Sequence, residues 1–307
     1  MTSGQMRSVR QTIDEGVETL SQLRESLQTA LALEFATIPP YLCAQWSIRK
    51  DPDRVEGLIH GVVSQEMKHI ALVGNVLSSI GGKPRLCAAS FYPRFPLSEL
   101  PGGIALKRPV TLSPLTFEQL RVFLDIERPE YGEPPANGSI GTFYEKMVKA
   151  IEVLNPDISA DRQIPIPLVP PIRKSADAIA CLRRVIREGE GSPLSPEEAP
   201  GDELRFAHYY TFKEIYLQRR LVRSGESWLF VGDKIAFPDV YDFAREPSMS
   251  PRSHRFAMQL KRLLLSLEEG WSKARAFNVA EMFALEVQGR KLIAKGVQPA
   301  FEWVEDT

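Results

Sequence analysis

No apolar run in this chain approaches the length that a bilayer-spanning helix needs, so no membrane helix is expected. The first residues, MTSGQMRSVRQTIDEGVETL, hold no apolar stretch of the kind that marks a secretory signal. Cysteine is scarce. Cys43, Cys87 and Cys181 are far apart and odd in number, which argues against a disulfide framework and leaves no Cys-x-x-Cys metal site. A reducing compartment is the simpler reading, and with it a cytoplasmic location. Neither sign of charge dominates, since 38 Lys and Arg stand against 39 Asp and Glu, a formal net charge of −1. Such a chain has no long-range field for nucleic acid, and neither nucleic acid nor a membrane is expected as a partner. A repeat of fixed period and a β-rich block are also missing. What is present is a 307-residue chain, 43% hydrophobic and 25% charged, with ample material for a globular core.

Within that chain the segment Ser64-Gln65-Glu66-Met67-Lys68-His69 stands out. Glu66 and His69 are three residues apart and share one helical face, with Ile59, Val62, Val63, Ile70 and Val73 around them. Glu34 has a similar setting among Leu27, Ala30, Leu31 and Ile38. A carboxylate on a core-facing stripe is costly unless its charge is compensated. A Glu on one helix and a Glu-x-x-His on the next form half of a carboxylate-bridged metal site in a four-helix bundle. Glu145 and His208 are the candidates for the other half. His208 lies on an apolar face as His69 does, whereas the neighbours of Glu145 are less apolar. A second Glu-x-x-His would need Glu three residues before His208, but that position is Arg205. One or two metal ions per chain are compatible with this set, and carboxylate with imidazole suits iron or manganese. A lone Glu-x-x-His also recurs by chance in soluble helices, so the apolar setting carries the weight.

Helical periodicity predicts helices over residues 16–37, 54–80, 139–154, 176–188 and 202–222, then 252–268 and 273–295. Pro39 and Pro40 are expected to interrupt the first, which resumes over 41–48. Residues 1–15 are polar and expected to fray. Residues 83–115 are long and rich in Pro and Gly, as a crossover or pocket mouth would be. A hairpin is conceivable near Val231-Gly232-Asp233.

The runs Leu33-Glu34-Phe35-Ala36-Thr37-Ile38-Pro39-Pro40-Tyr41-Leu42, Glu66-Met67-Lys68-His69, Ile140-Gly141-Thr142-Phe143-Tyr144 and His208-Tyr209-Tyr210-Thr211-Phe212 together resemble one family. It is the ferritin-like domain family related to iminophenyl-pyruvate dimer synthase, which includes N-terminal regions of the violacein and rebeccamycin pathway enzymes that form bis-indole precursors. The resemblance runs from about residue 20 to the end. It implies an all-α, ferritin-like four-helix bundle with long crossover loops and additional C-terminal helices, as one domain over 16–307. It also implies a non-haem iron or di-iron centre, with Glu34, Glu66, His69, Glu145 and His208 at ligand positions.

The function expected from these readings is O2-dependent oxidation or oxygenation of a small, amino-acid-derived substrate in natural-product biosynthesis. Tyr144 and Arg205 are the expected catalytic residues, Arg205 by pairing with a substrate carboxylate. Tyr41 and Tyr209 are further pocket candidates. An accessory role in oxidative imine coupling, with a partner oxidase or reductase, is the alternative. A non-catalytic metal-binding protein is a third reading, and a homodimer is compatible with each.

Overall fold

A computed structural model describes residues 6–129, 140–190, 196–197, 206–244, 249–273 and 278–305. Helix α1 (Val9–Glu15) starts at a reciprocal cap: the Ser8 hydroxyl accepts the Gln11 N–H, and the Gln11 side chain accepts the Ser8 N–H. Val9 is buried, and the Thr12 hydroxyl bonds that of Ser26 at 2.9 Å. The fraying expected for residues 1–15 is therefore corrected for 9–15. The cap and two buried side chains dock this short helix.

Thr19 and Gln22 form the same type of cap for α2 (Leu20–Ser47). This helix continues through Pro39 and Pro40, where an interruption was expected. Proline forfeits backbone hydrogen bonds there, but α2 is buried without a break from Ala30 to Ser47, and packing outweighs the lost bonds. After β1 (Ile48–Lys50), the Asp51 carboxylate accepts the N–H groups of Val55 and Glu56 and caps α3 (Val55–Ser79). Gly81, at φ +76°, takes the left-handed turn that ends it.

The crossover then carries a hairpin, β2 (Leu97–Leu100) with β3 (Ile104–Val110), and α4 (Phe117–Ile126). Helices α5 (Ile140–Leu154) and α6 (Ser175–Glu190) follow. α7 (His208–Leu217) leads to the hairpin β4 (Val222–Ser224) with β5 (Ser227–Leu229), and β6 (Asp239–Val240) pairs with β1. The hairpin thus turns at Gly225-Glu226, not near Gly232. α8 (Pro251–Lys273) and α9 (Val279–Ile293) close the chain.

Helix α2 packs on α3 and α5, and α6 packs on α3 and α5, which closes a four-helix ring. α4 and α7 pack on each other, and α7 also rests on α3. The added C-terminal pair clads the bundle, α9 on α2 and α8 on α3. The fold is the all-α bundle with crossover and C-terminal helices that was expected, but its fourth helix is α6. The helix expected over 202–222 is shorter: Ala207 and Gln218 cap it at His208–Leu217, Val222 already belongs to β4, and 202–205 lie outside the described residues. No helix among the described residues is long and apolar enough to cross a membrane.

The close fit of α9 on α2 makes opposite predictions for two helical glycines. A Cβ on Gly289 would lie 2.1 Å from the buried Trp46 ring, whereas one on Gly61 meets nothing within 4 Å. In urea unfolding, Gly289→Ala should cost about 1–3 kcal/mol by overpacking. Gly61→Ala should add about 0.5–1 kcal/mol through helix propensity. A stabilising Gly289→Ala would contradict the packing.

Candidate metal centre

Six buried side chains meet inside the ring and at its edge. α2 supplies Glu34, and Tyr41 two turns further on the same face. α3 supplies Glu66 and His69. Glu127 follows directly on α4, and His208 is the first residue of α7. Two triads result, Glu34–Glu66–His69 and Glu66–Glu127–His208, each with its ligand atoms within 4.8 Å of one another. Glu66 belongs to both. Its Oε1 is 2.9 Å from His208 Nδ1, and its Oε2 is 3.8 Å from His69 Nδ1. His69 Nδ1 is also 3.1 Å from Glu34 Oε2, and His208 Nδ1 is 3.5 Å from Glu127 Oε2.

The outer atoms of the same groups are held in matching ways. His69 Nε2 donates to Glu188 Oε2 on α6 at 2.9 Å, and His208 Nε2 donates to Gln65 Oε1 at 3.2 Å. With those protons held at Nε2, each Nδ1 is the nitrogen that faces the carboxylates, and His69 Nδ1 hydrogen-bonds Glu34 Oε2; loss of its proton would free it for a metal. A nitrogen facing carboxylate oxygens needs a proton or a metal cation between them. His208 Nδ1 is buried 2.9 Å from Glu66 Oε1 without a well-formed hydrogen bond, so a proton there is poorly held and a metal ion would take its place. Tyr144 on α5 donates its hydroxyl to Glu34 Oε1, and Tyr41 donates to Glu127 Oε1 at 2.5 Å. Arg184 Nε, at 2.5 Å, and Lys68 Nζ, at 3.8 Å, neutralise Glu188.

Burial and mutual charge displace every titration here. Burial raises Glu34 to about 7 and also raises Glu127, each partly offset by an imidazole. Burial acts the same way on Glu66, but His208 and His69 outweigh it and hold Glu66 well below the carboxylate range. For Glu188 burial is outweighed by His69, Arg184 and Lys68, which bring it to about 2. Burial would lower both imidazoles, yet Glu127 and Glu66 push His208 up to about 10, and Glu188 and Glu34 lead the rise of His69. Three inner carboxylates around two imidazoles therefore demand positive charge. Carboxylate and imidazole donors at these positions fit divalent iron or manganese.

A cavity of about 40 Å³ touches Glu34, Glu66, His69 and Glu127, with Leu33, Thr37 and Val185 among its walls. It has room for a few waters or a diatomic molecule.

The ferritin-like family model matches residues 27–217, more than half of the chain. The chain belongs to the ferritin-like family. A crystal structure of a ferritin-like protein from Caulobacter vibrioides has a similar fold, with a TM-score of 0.71 at 24% identity. The alignment covers 93% of this chain and 99% of that one, and at this identity it speaks for the fold alone. No curated protein matches the chain. The matched span contains every residue of the cluster and leaves α8 and α9 outside it.

This ferritin-like chain departs from the symmetric dinuclear plan, which takes one Glu from each of two helices and a Glu-x-x-His from each of the others. α5 presents Tyr144 to Glu34, and in the sequence Glu188 is followed three residues later by Gly191 rather than His. The second triad is instead completed from outside the ring, by Glu127 and His208.

Of the sequence-predicted ligands, Glu34, Glu66, His69 and His208 come together. Glu145 does not. It is on the exposed side of α5, whose inward residue at that level is its neighbour Tyr144, so the expectation is corrected. Arg205 lies outside the described residues. Tyr209 contacts Lys213 instead of the cluster. Sequence reasoning missed Glu127 and Glu188. Both continue an apolar stripe at helical spacing, Leu120-Phe123-Glu127 and Cys181-Val185-Glu188, the same signal that pointed to Glu34.

These shifts set a pH signature for the metal-free protein. His208 titrates near 10 in the fold against 6.5 unfolded, so its stabilising contribution is full below 6.5 and is lost as pH climbs through 10. A bound metal replaces that proton. The Tm of chelator-treated protein should fall between pH 6.5 and 10 while that of iron-loaded protein stays flatter, widening the gap. Parallel Tm curves would contradict the assignment.

Proposed function

We propose that this protein binds two iron ions, one at each triad, and uses O2 to oxidise a small organic substrate. The single observation behind this reading is that the two oxygens of Glu66 face the Nδ1 atoms of two different histidines. Glu34 and His69 would hold one ion, Glu127 and His208 the other, with Glu66 between them. Ferrous iron in such a site supplies electrons for O2 reduction. Manganese suits the same donors.

The chain's own part is positional. Glu188 and Gln65 hold the imidazole protons at Nε2 and so keep Nδ1 available to metal. Tyr144 and Tyr41 each hold a proton against a terminal carboxylate, at Glu34 Oε1 and Glu127 Oε1, where it can be passed to a reacting group. The apolar walls at Leu33, Ile126 and Val185 limit water to the small cavity. Arg205, three residues before His208, is proposed to pair with a substrate carboxylate. The resemblance to the dimer-synthase group supports an amino-acid-derived substrate and a biosynthetic setting.

Oxygen uptake tests this. Protein loaded anaerobically with ferrous iron should consume O2 on mixing. Glu66→Ala and His208→Ala should lose that uptake, and Glu188→Gln should weaken metal affinity or activity by about 10–100-fold. Glu145→Ala should match the parent. No uptake by the loaded parent would leave a metal-binding protein without turnover, and full uptake by Glu66→Ala would remove the shared ligand from the mechanism.

A further inference from the structure

A larger cavity, about 700 Å³, opens along α3 between α7 and the β4–β5 hairpin. That volume lies in the range of small-molecule sites. Its floor is bare helix backbone. Gly57 and Gly61, one turn apart on α3, both line it, and a Cβ added at either meets nothing within 4 Å. A flat group can therefore lie against the helix there.

One wall pairs a cation with an indole. Arg223 and Trp228 are direct partners across β4 and β5, so their side chains share a face, and both line the cavity. Phe206 sets its ring against Trp228 at 5.4 Å and 80°, making an aromatic corner. The charges at the back are already matched. Glu214 is buried, takes the Leu221 N–H at 2.6 Å and pairs with Arg220 at 3.1 Å. Glu197, at the rim, is partnered within the fold. Arg223 pairs with no acid among the described residues.

We infer that this cleft is a second ligand site, separate from the metal cavity, for a flat aromatic anion. The ring would lie over Gly57 and Gly61 beside Trp228, and the anionic group would sit on the Arg223 guanidinium, whose fork suits a carboxylate or a phosphate. Gln65 forms part of the wall while accepting the His208 proton, so the ligand lies one side chain from the metal centre. That last link rests on the dinuclear reading. Binding itself does not.

Calorimetric titration of the metal-free protein with 2-naphthoate tests the inference independently of any metal. Saturable binding is expected, with the neutral 2-naphthamide weaker by about tenfold or more because a charge-assisted pair is lost. Arg223→Gln should erase the difference between acid and amide. Gly61→Leu should abolish binding by filling the floor, with a Tm no lower than the parent's because that space is empty of protein and helix propensity rises. Titration of naphthyl phosphate then distinguishes the two anion types, since whichever binds tighter names the class. No saturation by either anion, equal affinity for the amide, or full affinity in Gly61→Leu would each overturn the inference.

Discussion

Everything near the centre of this protein depends on burying the Glu66 carboxylate between two imidazoles. A buried carboxylate is expensive without compensation, and here two more, Glu34 and Glu127, crowd the same space. The imidazoles alone do not resolve the conflict. Their outward Nε2 atoms are committed to Glu188 and Gln65, and one inward Nδ1 is left without a hydrogen bond. A metal cation held by the inner groups would relieve the charge, taking the place of the imidazole protons.

The arrangement is symmetric in chemistry and asymmetric in origin. Each triad has a carboxylate braced by a buried tyrosine and a histidine braced through Nε2. The first triad comes from the four-helix ring. The second borrows Glu127 and His208 from α4 and α7, which pack on each other beside α3. Tyr144 faces Glu34 where a symmetric site has a ligand, and Glu188 opens no Glu-x-x-His in the sequence. A site built this way ties the crossover segment to the bundle, because the second triad takes one of its three residues from the end of α4 and one from α7.

Much of this was legible in the residues. The long amphipathic stripes located the core helices, carboxylates interrupting apolar stripes located Glu34 and Glu66, and the i+3 spacing on the same face located His69. The failures have physical causes. Pro39 and Pro40 read as a break because local propensity takes no account of a fully buried helix. Glu145 was preferred on motif grounds although its stripe was poorly apolar, and the face it occupies is the exposed one. Glu127 sits at the C-cap of the short helix α4, outside every helix expected from periodicity. Glu188 ends the helix expected over 176–188, and its partner His69 is far away in sequence, so only the packing of α6 on α3 reveals the pair. His208 was found through its apolar face, but its partner is distant in sequence, and only the packing of α4 against α7 reveals it.

The central claim is that Glu66 is shared by two metal ions. Elemental analysis of protein reconstituted anaerobically with ferrous iron, and freed of unbound metal, tests it most directly. Close to two irons per chain is the expected result. A single iron, or none, would contradict a shared carboxylate.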